Sequence, residues 1–231
     1  MALPDGYAII GFTQNAVGND DDILYIRTDL NGNQELLETY NFSDTDRVED
    51  MIATQDGMLV LTGYQQNSGT PSDVFLLKVN PENGNIEWYQ TYGDAVFEDQ
   101  AKALVEAPNG DLAITGIAEL SVTDINVFLA RTDANGNELW KTQIGRDNTG
   151  DFGYAIDTTY EGGFIIAGFN SADLILGNDV TVVKTNGSGD IYSNYLEGNV
   201  FFDENGNCSE DTDELGLEEW LVKAESDALT F

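Results

Sequence analysis

The stretch DQAKALVEAPNGDLAITGIAELSVTDINVFLARTDANGNELWKTQIG, residues 99–145, reads as four short strands. Ala101 to Val105 and Leu112 to Ile117 flank the turn Pro108-Asn109-Gly110, and Val127 to Thr132 and Leu139 to Ile144 flank Asn135-Gly136-Asn137. Asn-Gly between alternating apolar runs is the strongest short-range hairpin signal, because a two-residue hairpin turn needs positive φ. The pattern then recurs. The glycine that ends the second strand returns as Gly11, Gly63, Gly116 and Gly168, at steps of 52, 53 and 52 residues by subtraction. Four strands at that period predict propeller blades. The expected fold is therefore all-β: a partial β-propeller of about four four-stranded blades, followed by the first strands of a β-sandwich module.

The expected blades cover about residues 1–41, 46–93, 99–145 and 151–196, making a propeller region over 1–197 and a separate module over 198–231. An aspartate opens the first strand at Asp46, Asp99 and Asp151; its counterpart in the leading blade would fall before Met1. The chain is accordingly expected to be a piece of a longer polypeptide, with further domains upstream and downstream. Three blades share the turn Asn31-Gly32, Asn83-Gly84 or Asn135-Gly136, which the fourth replaces with Ser188-Gly189. Arg27, Lys78, Arg131 and Lys184 occupy one position of the third strand in every blade. Blades are covered by their neighbours, so a cation there needs a partner, and Asp46, Asp99 and Asp151 are the expected ones in repeated structural ion pairs. Trp88 and Trp140, 52 residues apart, are expected to pack between blades. The variable loops at 13–22, 65–73, 118–124 and 170–179 are the expected partner surface, as loops on a rigid scaffold generally are.

Composition narrows function by exclusion. Of 231 residues, 42 are Asp or Glu and 9 are Lys or Arg, for a formal net charge of -33. Nucleic acid and anionic membranes need a basic surface, so neither is an expected partner. The absence of histidine excludes Ser-His-Asp and Cys-His catalysis and any histidine-ligated metal. Cys208 is the sole cysteine and has no intrachain disulfide partner. No apolar run approaches about 18 residues, so no membrane span is expected. Two-carboxylate chemistry survives these exclusions.

After Leu196 the period stops, and Asp203-Glu204-Asn205-Gly206-Asn207-Cys208-Ser209-Glu210-Asp211-Thr212-Asp213-Glu214 follows. With Asp203 at position 1, side-chain oxygens fall at 1, 3, 5 and 9 as Asp203, Asn205, Asn207 and Asp211; the Ser209 carbonyl stands at 7 and Glu214 at 12. That is the ligand order of a twelve-residue calcium loop, in which a hard cation takes six to eight oxygens. Cys208 stands where the usual glycine would be. The flanks, Val200-Phe201-Phe202 and Glu219 to Ala224, read as strands, so this is no helix-loop-helix hand.

The pieces DGYAIIGF, DVFLLKVNPENGNIEWYQTYG, DANGNELWKTQIG and EGGFIIAGF resemble the repeats of secreted bacterial β-propeller proteins, quinoprotein-like and delta-60-type, which often carry a C-terminal sorting domain. The resemblance spans residues 5–196. GNVFFDENGNCSEDTDELGLEEWLVKAE resembles the opening of the prealbumin-like Cna-B or SdrD-B modules of bacterial surface proteins, whose acidic loop binds calcium. These resemblances imply a non-enzymatic extracellular or cell-surface binding and scaffold module. Its cofactor would be calcium and its ligand a glycan or a protein. The Gly-x-x-x-Trp pattern at Gly84 to Trp88 and Gly136 to Trp140 is also similar to quinone-dependent dehydrogenase repeats. It implies the alternative, a quinone-dependent oxidoreductase-like propeller, beside the carboxylate-based hydrolase noted above.

Overall fold

The computed structural model describes residues 1–14, 20–93, 96–121, 123–146, 149–173 and 177–191. Among them the fold is all-β, with fifteen strands; no helix is long and apolar enough to cross a membrane. The strands fall into four successive units. The first holds β1 (Ala2–Leu3), β2 (Gly6–Gln14), β3 (Asp21–Asp29) and β4 (Gln34–Tyr40). The second holds β5 (Thr45–Ala53), β6 (Leu59–Gln66), β7 (Asp73–Val79) and β8 (Ile86–Tyr92). The third holds β9 (Asp99–Glu106), β10 (Leu112–Ser121), β11 (Asp124–Thr132) and β12 (Glu138–Ile144). The fourth holds β13 (Asp151–Thr158), β14 (Phe164–Asp173) and β15 (Gly177–Thr185); the fourth strand expected near Ser193 to Leu196 lies outside the described residues.

Within each unit the strands pair antiparallel in chain order. Units one and two form one sheet through a single parallel pair, Asp21↔Thr45, while the third and fourth units are separate sheets of four and three strands. Comparable stitches occur at the other junctions: the Asp99 amide donates to the Ser72 carbonyl at 2.8 Å, and the Ile125 amide to that of Thr149 at 3.0 Å.

Local chemistry explains the turns. In the 133–137 turn the Asp133 carboxylate accepts the Asn135 and Asn137 amides at 2.8 and 2.9 Å, which frees Gly136 to take φ +79°. Asp29 does the same with Asn31 and Asn33. The Asn33 and Asn137 bonds hold the Asp29 and Asp133 carboxyls below the usual range.

The repeated second-strand glycine also acquires a physical cause. Opposite Gly63, Gly116 and Gly168 the first strand carries a one-residue bulge at Glu49, Lys102 and Tyr154. The bulge drives the carbonyl of Arg47, Gln100 or Phe152 into the space a Cβ would need. Only glycine fits there. Gly11 has nothing within 4 Å of that space.

The core lies between units. Ala8, Ile23 and Tyr25 of the first meet Leu59, Leu61 and Phe75 of the second. Val60, Val74 and Leu76 of the second meet Leu112, Ile114 and Phe128 of the third. Val127, Leu129 and Ile144 of the third meet Ile166 of the fourth. Internal sheets thus bury both faces, which is why Phe75, Leu76 and Leu77 run consecutively at 0% exposure. Each such side chain contributes about 1.5–3 kcal/mol. Trp88 lies over Gly136 and Trp140 over Gly189, so the two tryptophans are inter-unit packing.

Candidate functional site

The four repeated cations are all ion-paired, and each has a partner from the first hairpin turn of its own unit. Arg27 meets Asp5 at 2.5 Å, with Glu35 and Glu82 beside it; Lys78 meets Asp56 at 2.6 Å, Arg131 meets Asp111 at 2.9 Å, and Lys184 meets Glu161 at 3.1 Å. The expected pairing with Asp46, Asp99 and Asp151 is corrected by the register. Lys78 stands level with Val60 and so with Ile52, six residues along β5 from Asp46. At about 3.3 Å per residue that is roughly 20 Å, and the same offset separates Arg131 from Asp99 and Lys184 from Asp151.

Asp46 and Asp151 instead fasten the segments that lead into their first strands. Asp46, 0% exposed, accepts the Phe42 and Ser43 amides at 2.7 and 3.0 Å and the Ser43 hydroxyl at 2.8 Å. Burial pushes its carboxyl above the usual range against those bonds. Asp151 accepts the Arg146 amide at 3.1 Å and the Thr149 hydroxyl at 2.7 Å. Asp99 is buried and lines a cavity of about 310 Å³ with Phe128, Lys141, Thr142 and Gln143.

At Asp56, burial raises the carboxyl, but the Lys78 ammonium, the Thr54 hydroxyl and the Met58 amide outweigh it and hold the group at about 2. A carboxyl lowered by folding adds stability that is full above its unfolded value of about 3.9 and is lost as pH falls through the folded value. Lys78→Met should therefore move the Asp56 midpoint, read by carboxyl carbon NMR, from about 2 up toward the ordinary range, and flatten the stability profile below pH of about 4.

The end of the molecule carrying the variable loops is different. Asp20, Asp44, Thr45, Gln66, Asn67, Ser68 and Gly69 line a polar cleft of about 550 Å³ formed by loops of the first two units. Its wall is fixed. The Ser68 amide donates to the Asp44 carboxylate at 2.7 Å, the Thr70 amide to the Asn67 carbonyl at 3.0 Å, and Gly69 takes φ +84°. The Gln66 amide group donates to Thr70 O at 2.9 Å and to Glu98 at 3.2 Å. Glu98 also accepts the Ser72 amide and, in a short bond, the Ser72 hydroxyl. Burial, then the nearby Glu98 charge, raises the Glu119 carboxyl. Among the described residues no three Cys, His, Asp or Glu side chains are grouped to hold a metal ion. The calcium-like set Asp203, Asn205, Asn207, Ser209, Asp211 and Glu214 lies outside the described residues.

Sequence reasoning located this loop end but not the cleft, because its lining comes from two units at unrelated offsets. The turn carboxylates Asp5, Asp56, Asp111 and Glu161 were also missed. Their signal was present in the recurrence of Asp-Gly, Gly-Asp and Glu-Gly between the first two strands.

No family model matches the chain, and no curated protein does. Among solved structures, the endo-arabinase from Bacteroides thetaiotaomicron VPI-5482 is similar at 12% identity, over 87% of this chain and 85% of that one, with a TM-score of 0.48.

Proposed function

We propose that this chain is a non-enzymatic extracellular or cell-surface binding and scaffold module. Its four units are blades of a partial β-propeller, and a calcium-stabilised module follows over residues 198–231. The blade reading is supported by the face-to-face packing of successive sheets and by the packing of the first strands β5, β9 and β13 one against the next. The loop end binds the ligand, a glycan by the chemistry of the lining: carboxylates, amides and hydroxyls at Asp20, Asp44, Thr45, Gln66, Asn67 and Ser68 match a polyhydroxylated surface.

The observation that carries this reading is how the repeated ionisable groups are used. The third-strand cations pair with turn carboxylates, and Asp46 and Asp151 tie down backbone and hydroxyl groups. These groups hold the scaffold, which leaves recognition to the irregular loops. Calcium would sit on Asp203, Asn205, Asn207, Asp211, Glu214 and the Ser209 carbonyl, an all-oxygen set suited to a hard cation.

Binding to an immobilised panel of polysaccharides, with product analysis of each supernatant, tests the reading. We expect saturable retention on one class of glycan without chain cleavage. Replacing Asp20 and Asn67 together with Ala should weaken retention about tenfold, the loss of one or two ligand hydrogen bonds. Released oligosaccharides would establish the hydrolase alternative instead.

A further inference from the structure

The two end blades each present an apolar face whose counterparts inside the array are sealed. On blade one, Tyr7 and Ile9 are 43% and 48% exposed; at the same repeat positions Leu59 and Leu61 of blade two are 1% and 0% exposed, packed on blade one. On blade four the opposite face is bare among the described residues. Ile165, Val180 and Val182 are 40%, 85% and 62% exposed, whereas their equivalents Val60, Val74 and Leu76 are at 0% beneath blade three.

The hairpin glycines tell the same story independently. Gly84, Gly136 and Gly189 are each covered by a fourth-strand side chain of the preceding blade: Glu38, Trp88 and Trp140. Gly32 of blade one has nothing within 4 Å of its Cβ position. At every internal junction the Ile165-type face of one blade docks on the Ile9-type face of the next. The two bare faces are therefore the two halves of an interface the molecule already makes three times.

We infer that the bare face of blade four docks on the bare face of blade one of a second copy of this chain, head to tail, continuing the established blade-to-blade interface. Such a heterologous contact closes as a ring of two copies when both junctions form. The junction is apolar while each copy carries a net charge of -33, so long-range repulsion opposes association and salt relieves it.

Sedimentation velocity of the full chain from about 0.05 to about 0.5 M NaCl should show a monomer giving way to a dimer as salt and concentration rise. Ile9→Glu and Val182→Glu each spoil one face at an exposed position, so circular dichroism should remain that of the parent. Each variant alone should stay monomeric. Mixed together they retain one intact face of each kind and should form a heterodimer that goes no further. A parent that is monomeric at every salt concentration overturns the inference, whether the chain closes on itself or its bare faces stay open. Association untouched by either substitution, or a mixture that stays monomeric, overturns it as well.

Discussion

Gly116→Ala is expected to lower the unfolding free energy by about 3 kcal/mol, near the upper end for a forced overpacking, while Gly11→Ala changes it by no more than about 0.5 kcal/mol. The two glycines occupy the same place in the repeat and differ in what faces them. A Cβ on Gly116 would enter the Gln100 carbonyl, which the Lys102 bulge pushes toward it. That carbonyl belongs to the backbone of a paired strand, so relief requires the β9–β10 register itself to shift. Gly11 faces open space, and an added methyl there also trims the entropy of the unfolded chain, a small gain. Urea unfolding of the two variants beside the parent measures both. Equal losses would mean that the repeated glycine is a feature of strand conformation rather than of the bulge.

Asp46→Ala carries the second large effect, a loss of about 3 kcal/mol, because it strands the Phe42 and Ser43 amides that a fully buried carboxylate accepts and leaves the Ser43 hydroxyl only the Thr45 carbonyl to donate to. Asp46→Asn should lie within about 1 kcal/mol of the parent at neutral pH, since an amide oxygen can still accept the two backbone N–H groups and the hydroxyl can turn to accept from the new NH₂. The pH dependence has a definite sign. Burial raises the Asp46 carboxyl in the folded chain, so the stability this adds is full below the unfolded value of about 3.9 and is lost as pH rises through the raised folded value. The Asn variant lacks this slope. Thermal melts of the parent and both variants across the acidic range separate the terms.

The sequence carried the architecture further than the chemistry. Period and turn residues placed the strands of the third unit to within a few residues: Ala101 to Val105 became Asp99–Glu106, and Leu139 to Ile144 became Glu138–Ile144. Turns can be read because their φ requirement is local, and apolar alternation because it reports burial. The ion-pair partners were not legible from spacing alone. Lys78 and Asp46 recur together, but recurrence is not contact: Asp46 opens β5, Lys78 stands near the end of β7, and these two strands run in the same direction, which puts the two residues at opposite ends. The bulge was invisible for a similar reason: Glu49, Lys102 and Tyr154 share no chemistry, and only the glycine opposite them leaves a trace. The cleft joins Asp20 and Asp44 to Gln66 and Asn67 through loop geometry, which no strand periodicity encodes.

Compartment and cofactor both lean on the acidic loop at 203–214, so a calorimetric titration of calcium into the whole chain is the most direct test of this account. The expected result is a saturable isotherm near one site per chain, abolished by Asp203→Ala, which removes the first ligand of the set. Absence of binding, or binding that survives Asp203→Ala unchanged, would contradict the assignment of a calcium-stabilised surface module.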